Sequence, residues 1–502
     1  MLTSCAPVHD AMGRRAACIV VRGTNPVGTA PEQLRKQNLS LIDVVAQSVG
    51  FMGPVLSVAV AVPLIVGAGP AGKGAGTATP LAILLAGLGV AGIGWTVSRF
   101  ARRIHAAGAL YDYVTDAFGE RVGFVAGWIY YLGTVVLSAS VSLVFGGVAA
   151  EFLASSVGLD VAWWVLGLGY GALLFLGLFL GVRVSTRLQL ALAGVSVLAV
   201  LAFAVSVILR AGDSNSLGPF RVAAAADGWS GLLYGLLYAI LTFTGFEGAA
   251  SLAEETDNPE RSIPRAVLLS IGFVGAYYVI VAYAQAVGFG FDAASWASSG
   301  TPLLVLAAPE RYGSRHLSLL IQLMVVLDVA AVGIGTTVTA TRGLFGMARD
   351  RRLPEILATV DRRRGTPVVA ISFVVLLGVV ATVAVRASHG LLSRATADPV
   401  VLLPEWFPVF AWSAGLGGTC VVVVYAMVCV GGARRLWDTE NRIRLLLATG
   451  AGLLASLGAL WGSVYKAPPP TDTIPWVVAF WAALGVVLAL GRKPRAGRRT
   501  GP

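Results

Sequence analysis

Apolar runs of about 20 residues, the length a helix needs to cross the hydrocarbon core of a bilayer, recur along this chain from residue 41 to residue 491. Inside lipid the backbone must satisfy its own donors and acceptors, so each run is read as a helix. Twelve runs are assigned as spans 1 to 12, at 41–66, 80–98, 122–150, 161–182, 188–209, 229–256, 265–288, 316–346, 367–386, 404–431, 443–465 and 473–491. The expected fold class is an all-α membrane protein with 12 transmembrane helices. Composition agrees: 56 % of the 502 residues are apolar and only 13 % are charged, where a soluble domain is about one-quarter charged.

The formal net charge of +11 fits either a nucleic-acid ligand or basic loops flanking membrane spans. The positions of the charges decide between them. Segments on one side of the twelve-span arrangement hold 29 of the 37 Lys and Arg residues, and those on the other side hold 8. Basic residues collect on the cytoplasmic side of membrane proteins. Both termini are therefore expected in the cytoplasm, and no nucleic-acid partner is expected. Residues 1–38 read as a disordered cytoplasmic tail and 492–502 as a short basic one. The only apolar run of the first tail, Ala16 to Val21, is too short for a signal-peptide core.

Two spans carry helix breakers near their middles. Span 1 contains Ser48, Gly50, Phe51, Met52, Gly53 and Pro54; span 6 contains Phe243, Thr244, Gly245, Phe246, Glu247 and Gly248. Proline removes a backbone donor and glycine relaxes the helix. A broken helix within a membrane is tolerated where its freed groups meet protein, water or a ligand. Its N-terminal half-end then offers N–H groups to a carboxylate and its C-terminal half-end offers carbonyls to an ammonium group. Two such spans at matching places in two five-helix halves point to a transporter site. The substrate-binding candidates are Ser48, Gly50, Phe51, Met52, Gly53, Phe243, Thr244, Gly245, Phe246 and Gly248. The backbone from Gly50 to Gly53 is expected to be non-helical and to hold a substrate carboxylate, with Gly50 bordering the substrate space. Phe243 and Phe246 are candidates for a gate over it.

Glu247 in span 6 and Asp328 in span 8 lie deep in apolar segments. A carboxylate at that depth costs about 2.5–3.5 kcal/mol on insertion scales, which marks both for proton coupling or ammonium binding. Trp406 and Tyr131 are assigned to the membrane interfaces. The four cysteines and four histidines form no CxxC pair and no ligand cluster, so no metal or cofactor is expected. No phosphate-binding GxxxxGK[ST] motif is present, which argues against ATP-driven pumping, and no nucleophile–base pair lies at depth for an intramembrane enzyme.

Longer motifs carry a resemblance. Gly245-Phe246-Glu247 through Glu254-Glu255-Thr256-Asp257-Asn258-Pro259-Glu260-Arg261-Ser262-Ile263-Pro264-Arg265-Ala266 resembles the "GxE … E-x-x-NP-x-R-x-IPRA" stretch of amino acid–polyamine–organocation permeases. Arg342-Gly343-Leu344-Phe345-Gly346-Met347-Ala348-Arg349-Asp350, with Leu353-Pro354, resembles their "R-x-x-F-x-M-A-R-D-x-x-LP" signature. Arg99-Phe100 with Ala107-Gly108-Ala109-Leu110-Tyr111 resembles "RFPxAGGxY", with Ala109 in place of the second glycine. The resemblance covers residues 39–490. It implies a leucine-transporter-type fold of 5+5 inverted repeats (41–209 and 229–431) with two extra helices (443–491), all within a transporter domain at 39–491. It implies a central site between spans 1, 3, 6, 8 and 10. It also implies amino-acid transport across the cell membrane by alternating access, as proton symport or substrate exchange. A polyamine or other organic-amine permease, or a non-transporting sensor on the same fold, are the alternatives. The implied partners are a small amino-acid substrate, the lipid bilayer and protons as a candidate coupling ion. Some family members carry a lysine in span 5 in place of a sodium ion; span 5 here has none.

Overall fold

Backbone self-satisfaction favours helix throughout the apolar runs. The computed structural model describes residues 38–67, 74–361, 363–392, 404–465 and 470–491. The two expected tails, apart from Asn38, lie outside them. Among the described residues no strand forms, and one isolated bridge joins Leu39 to Thr256.

Among the described residues, eleven helices are long and apolar enough to cross a membrane: α1 (Leu41–Val66), α2 (Gly76–Ala101), α3 (Glu120–Val157), α5 (Arg183–Ser214), α6 (Trp229–Glu255), α7 (Pro259–Gly288), α8 (Arg315–Arg349), α9 (Val368–Ala387), α10 (Trp406–Arg435), α11 (Arg442–Val464) and α12 (Thr471–Leu490). A shorter apolar helix, α4 (Trp163–Phe179), lies between α3 and α5. α1 and α6 are the most buried and α12 the least. α10 packs along α3, α7 along α2, and α8 along both α3 and α5. The two broken helices thus sit inside a wall of continuous ones.

Local sequence explains where α1 starts and stops. Ser40 and Asp43 form a capping box, with Ser40 N–H donating to Asp43 Oδ2 at 2.9 Å. The helix then runs unbroken to Met52. Only Gly53 departs from it, at φ +57°, a left-handed conformation that glycine adopts at little cost. Pro54 opens the next helical segment, where its missing N–H is no loss. The expectation of a non-helical stretch from Gly50 to Gly53 is therefore corrected: one residue makes the break. A π-helical turn follows at Ser57–Ala61, and the Ser57 hydroxyl returns a hydrogen bond to the Met52 carbonyl at 3.1 Å.

α6 breaks more widely. Its α-helical part ends at Leu241, turns occupy 242–245, and a 3-10 segment covers Phe246–Glu255. Gly245 lies at φ +114°, and a Cβ there would press into the Phe51 ring.

Near the start of the short helix Leu110–Phe118, Ala109 stands at φ +44°. This is where the chain departs from the glycine of its motif, and a side chain is held in a conformation that favours glycine.

Candidate functional site

A cavity of about 240 Å³ lies among α1, α3, α6, α8 and α10. α1 contributes Phe51, Met52, Leu56, Ser57, Val60, Ala61 and Leu64; α3 contributes Leu137, Ser140 and Val141; α6 contributes Tyr238, Leu241, Thr242 and Thr244. α8 contributes Val332 and Thr336, and α10 contributes Phe407, Phe410, Ala411, Ala414, Gly415 and Gly418. The wall is mostly apolar, with hydroxyls interspersed. No Asp, Glu, His, Lys or Arg is among these lining residues. The Thr244 hydroxyl is buried at the wall without a hydrogen bond of good geometry, although the Tyr425 hydroxyl stands near it.

Of the ten substrate-binding candidates, Phe51, Met52 and Thr244 line this cavity. The others lie behind it. Ser48 stitches the two broken helices together: its hydroxyl donates to the Phe246 carbonyl at 2.6 Å and accepts from the Ala249 N–H at 3.0 Å. Gly50 faces α5, where a Cβ would collide with the Gln189 side chain. Gln189 in turn donates to the Ala331 carbonyl at 3.0 Å, tying α5 to α8. Gly50 thus makes room for Gln189, and the expectation that it borders the substrate space is corrected. Gly245 and Gly248 make room for the Phe51 ring, and Gly53 packs on Val332.

Phe243 and Phe246 are fully buried and do not reach the cavity. The Phe243 ring meets Tyr278 edge-on at 5.2 Å, and that of Phe246 lies 5.1 Å from Tyr425. In this arrangement neither covers a substrate, because the turns at 242–245 direct them into the surrounding helices. Tyr131 and Trp406 are buried against neighbouring helices. The Tyr131 hydroxyl donates to the Gly108 carbonyl at 2.7 Å, and the Trp406 ring fills the space that Gly147 leaves open.

The two deep carboxylates have protein partners. Asp328 Oδ2 accepts from the N–H groups of Val55 at 3.0 Å and Leu56 at 2.8 Å. It caps the helical segment that starts after Gly53. Those N–H groups are the positive end that the sequence offered to a substrate carboxylate, and a protein carboxylate occupies it. Glu247 behaves alike at the α6 break. It accepts from the Gly245 N–H at 3.1 Å, from Tyr130 at 2.9 Å and from Tyr425 at 2.5 Å. Both acids are fully buried and neither lines the cavity. Sequence reasoning passed over Tyr425 and Gln189, because nothing local distinguishes them from other polar residues in apolar helices. The Tyr278 hydroxyl joins the two breaks, within reach of the Thr242 carbonyl at 2.9 Å and the Met52 carbonyl at 3.3 Å.

At the far ends of α6 and α8 the two signature motifs meet. Arg342 Nε pairs with Glu255 Oε1 at 3.1 Å, with both side chains buried. Arg349 grips Glu254 through two nitrogens, at 2.9 and 2.7 Å, and Glu254 also accepts from the Ala107 N–H at 2.9 Å. Their pairing ties the ends of α6 and α8 together. Among the described residues, no three His, Cys, Asp or Glu side chains gather into a metal site.

Residues 50–458 match the family described as amino acid permease. An uncharacterized transporter of Mycobacterium tuberculosis is 28 % identical over 374 residues, covering 72 % of this chain and 78 % of that one. The gamma-aminobutyric acid permease of Escherichia coli is 26 % identical over 407 residues, covering 76 % and 80 %. The branched-chain amino acid permease BcaP of Bacillus subtilis is 25 % identical over 320 residues, covering 60 % and 67 %. Among solved structures, a manganese transporter of Eremococcus coleocola superposes with a TM-score of 0.51 at 12 % identity, over 90 % of this chain and 93 % of that one, a likeness of fold alone. With its apolar helices and its match over most of its length, this chain belongs to the amino acid permease family.

Proposed function

We propose that the chain is a secondary active transporter that moves neutral amino acids with apolar side chains across the cell membrane by alternating access. The observation that carries this reading is the cavity wall: five helices surround it, most of its side chains are apolar, and none is Asp, Glu, His, Lys or Arg. Its volume of about 240 Å³ suits a single small metabolite, since pockets for drug-sized ligands begin near 300 Å³. An acidic or basic substrate side chain would lose its water there without a charged partner. A polyamine meets the same difficulty at each ammonium group. The wall hydroxyls are the polar groups at hand for the substrate's own ammonium and carboxylate. The branched-chain specificity in the name of one relative supports the same substrate class.

In this reading α4, at 17 residues, completes a set of twelve spans. The first ten form two inverted repeats, at 41–209 and 229–431, with α1 and α6 as the broken members, and 443–491 adds two helices. The cavity extends along α1 to Leu64 and along α10 to Phe407, near its start, away from the ion pairs at the other end. With both termini cytoplasmic, that is an outward-facing arrangement. Ser216, exposed between α5 and α6, is then extracellular. A Ser216→Cys variant in a cysteine-free background is expected to react with an impermeant maleimide on intact cells. Labelling only after permeabilisation would reverse the orientation.

The substrate class is tested by uptake into proteoliposomes. Radiolabelled leucine and phenylalanine are expected to enter, and lysine, glutamate and putrescine to be excluded. Ala414→Leu adds bulk to the wall, and it is expected to reduce phenylalanine uptake about tenfold relative to alanine uptake, the scale set by a methylene or more in an apolar pocket. Preferred uptake of a charged substrate would overturn the substrate class.

A further inference from the structure

A second cavity, of about 370 Å³, opens where the end of α2 meets the start of α7. Its lining is Arg102, Glu260, Arg261, Pro264 and Arg265. Three arginines against one glutamate leave a net charge of +2 on the pocket wall. Among the described residues, none of the three guanidinium groups has an ion-pair partner within 4.0 Å, whereas arginines 99, 342, 349, 351, 352 and 435 all do. All three are exposed.

Local physics does not explain this arrangement. Arg261 and Arg265 are four residues apart on one face of α7, so their charges repel. Arg261 also lies in the first turn of that helix, where the backbone already presents positive potential and cations are disfavoured. Glu260 suits that turn; Arg261 does not. An anion in the pocket would relieve both penalties at once. A requirement for positive charge on the cytoplasmic side asks only that arginines lie near the span end, not that three of them from two helices line one cavity.

The face of α7 that carries Arg261 and Arg265 continues into Leu268, Leu269 and Phe273, all exposed. Their spacing along the helix makes a stripe on the surface that meets the acyl chains. Charge and apolar surface are thus stacked in the order of a phospholipid molecule. Basic pockets between membrane helices bind anionic headgroups on this principle. We propose that the pocket formed by Arg102, Arg261 and Arg265 binds the phosphate headgroup of an anionic phospholipid, whose acyl chains lie along Leu268, Leu269 and Phe273. The site is separate from the transport cavity and shares none of its lining residues.

The test uses the purified full-length chain, delipidated in neutral detergent. It is titrated with phosphatidylglycerol, cardiolipin, phosphatidylcholine or inorganic phosphate, while bound lipid is counted by native mass spectrometry and the unfolding midpoint is followed. Phosphatidylglycerol and cardiolipin are expected to bind and raise the midpoint, and phosphatidylcholine to leave it unchanged. Arg261→Gln/Arg265→Gln is expected to weaken anionic-lipid binding at least tenfold with an unaltered midpoint in phosphatidylcholine. If that double variant fails to insert, Arg102→Gln probes the same pocket from α2, with a weakening of several-fold expected. Equal binding by the wild type and the variants would overturn the proposal. So would stabilisation by inorganic phosphate equal to that by the lipids, which would make this a free-anion site.

Discussion

Replacing Arg342 by methionine is expected to destabilise the protein by about 3–5 kcal/mol, the usual cost of stranding one partner of a buried ion pair. Glu255 has no water to turn to, because both side chains of the pair are almost fully buried. The loss would appear as a lower unfolding midpoint in detergent and a smaller monodisperse peak on size exclusion. Removing the orphaned charge as well, in Arg342→Met/Glu255→Gln, is expected to recover much of the stability, since a neutral pair no longer demands a counter-charge. Recovered stability need not bring recovered transport, because the pair also ties the ends of α6 and α8 together. A single variant as stable as the wild type would show that the pair contributes nothing. A double variant no better than the single would show that packing, not charge, is what Arg342 supplies.

Glu247→Gln is expected to abolish accumulation driven by a pH gradient while leaving exchange of internal for external substrate largely intact. The carboxylate accepts three hydrogen bonds at the α6 break, from Tyr130, Tyr425 and the Gly245 backbone. Hydrogen bonds to a charged group contribute about 1.5–3 kcal/mol each, so its protonation would loosen the turn that joins the two parts of α6. Such loosening is a route from proton binding to a change at the cavity, since Thr244 lies in that turn and lines the cavity wall. Glutamine keeps the shape and holds the site in a single uncharged form. Proteoliposomes with and without an imposed pH gradient separate the two activities. If both persist at wild-type level with unchanged pH dependence, Glu247 is a structural acid. If exchange falls as far as accumulation, the residue holds the break together and carries no coupled proton. Asp328, which caps the segment after Gly53, would then be the next residue to neutralise.

Hydropathy, charge asymmetry and two motifs were enough to read a helical membrane protein and its family from this sequence. Those properties are local or summed along the chain: a run of apolar residues has to be a helix in lipid wherever it packs. The presence of breaks in α1 and α6 was legible for the same reason, because glycine and proline act on their own backbone. Their extent was not. Gly50 looks like part of the break in sequence, yet it is a helical residue that makes space for Gln189, 139 positions further along the chain. Which side chains line the cavity was decided only in three dimensions. Phe51 and Phe246 both sit beside a break, but only Phe51 faces the cavity. The same holds for the acids. Depth in an apolar segment singled out Glu247 and Asp328. What each one does depends on donors from other helices: Tyr130 and Tyr425 for the first, the N–H groups of Val55 and Leu56 for the second. A sequence records the cost of burying a carboxylate in the membrane, whereas the partners that offset that cost are fixed by how the helices pack.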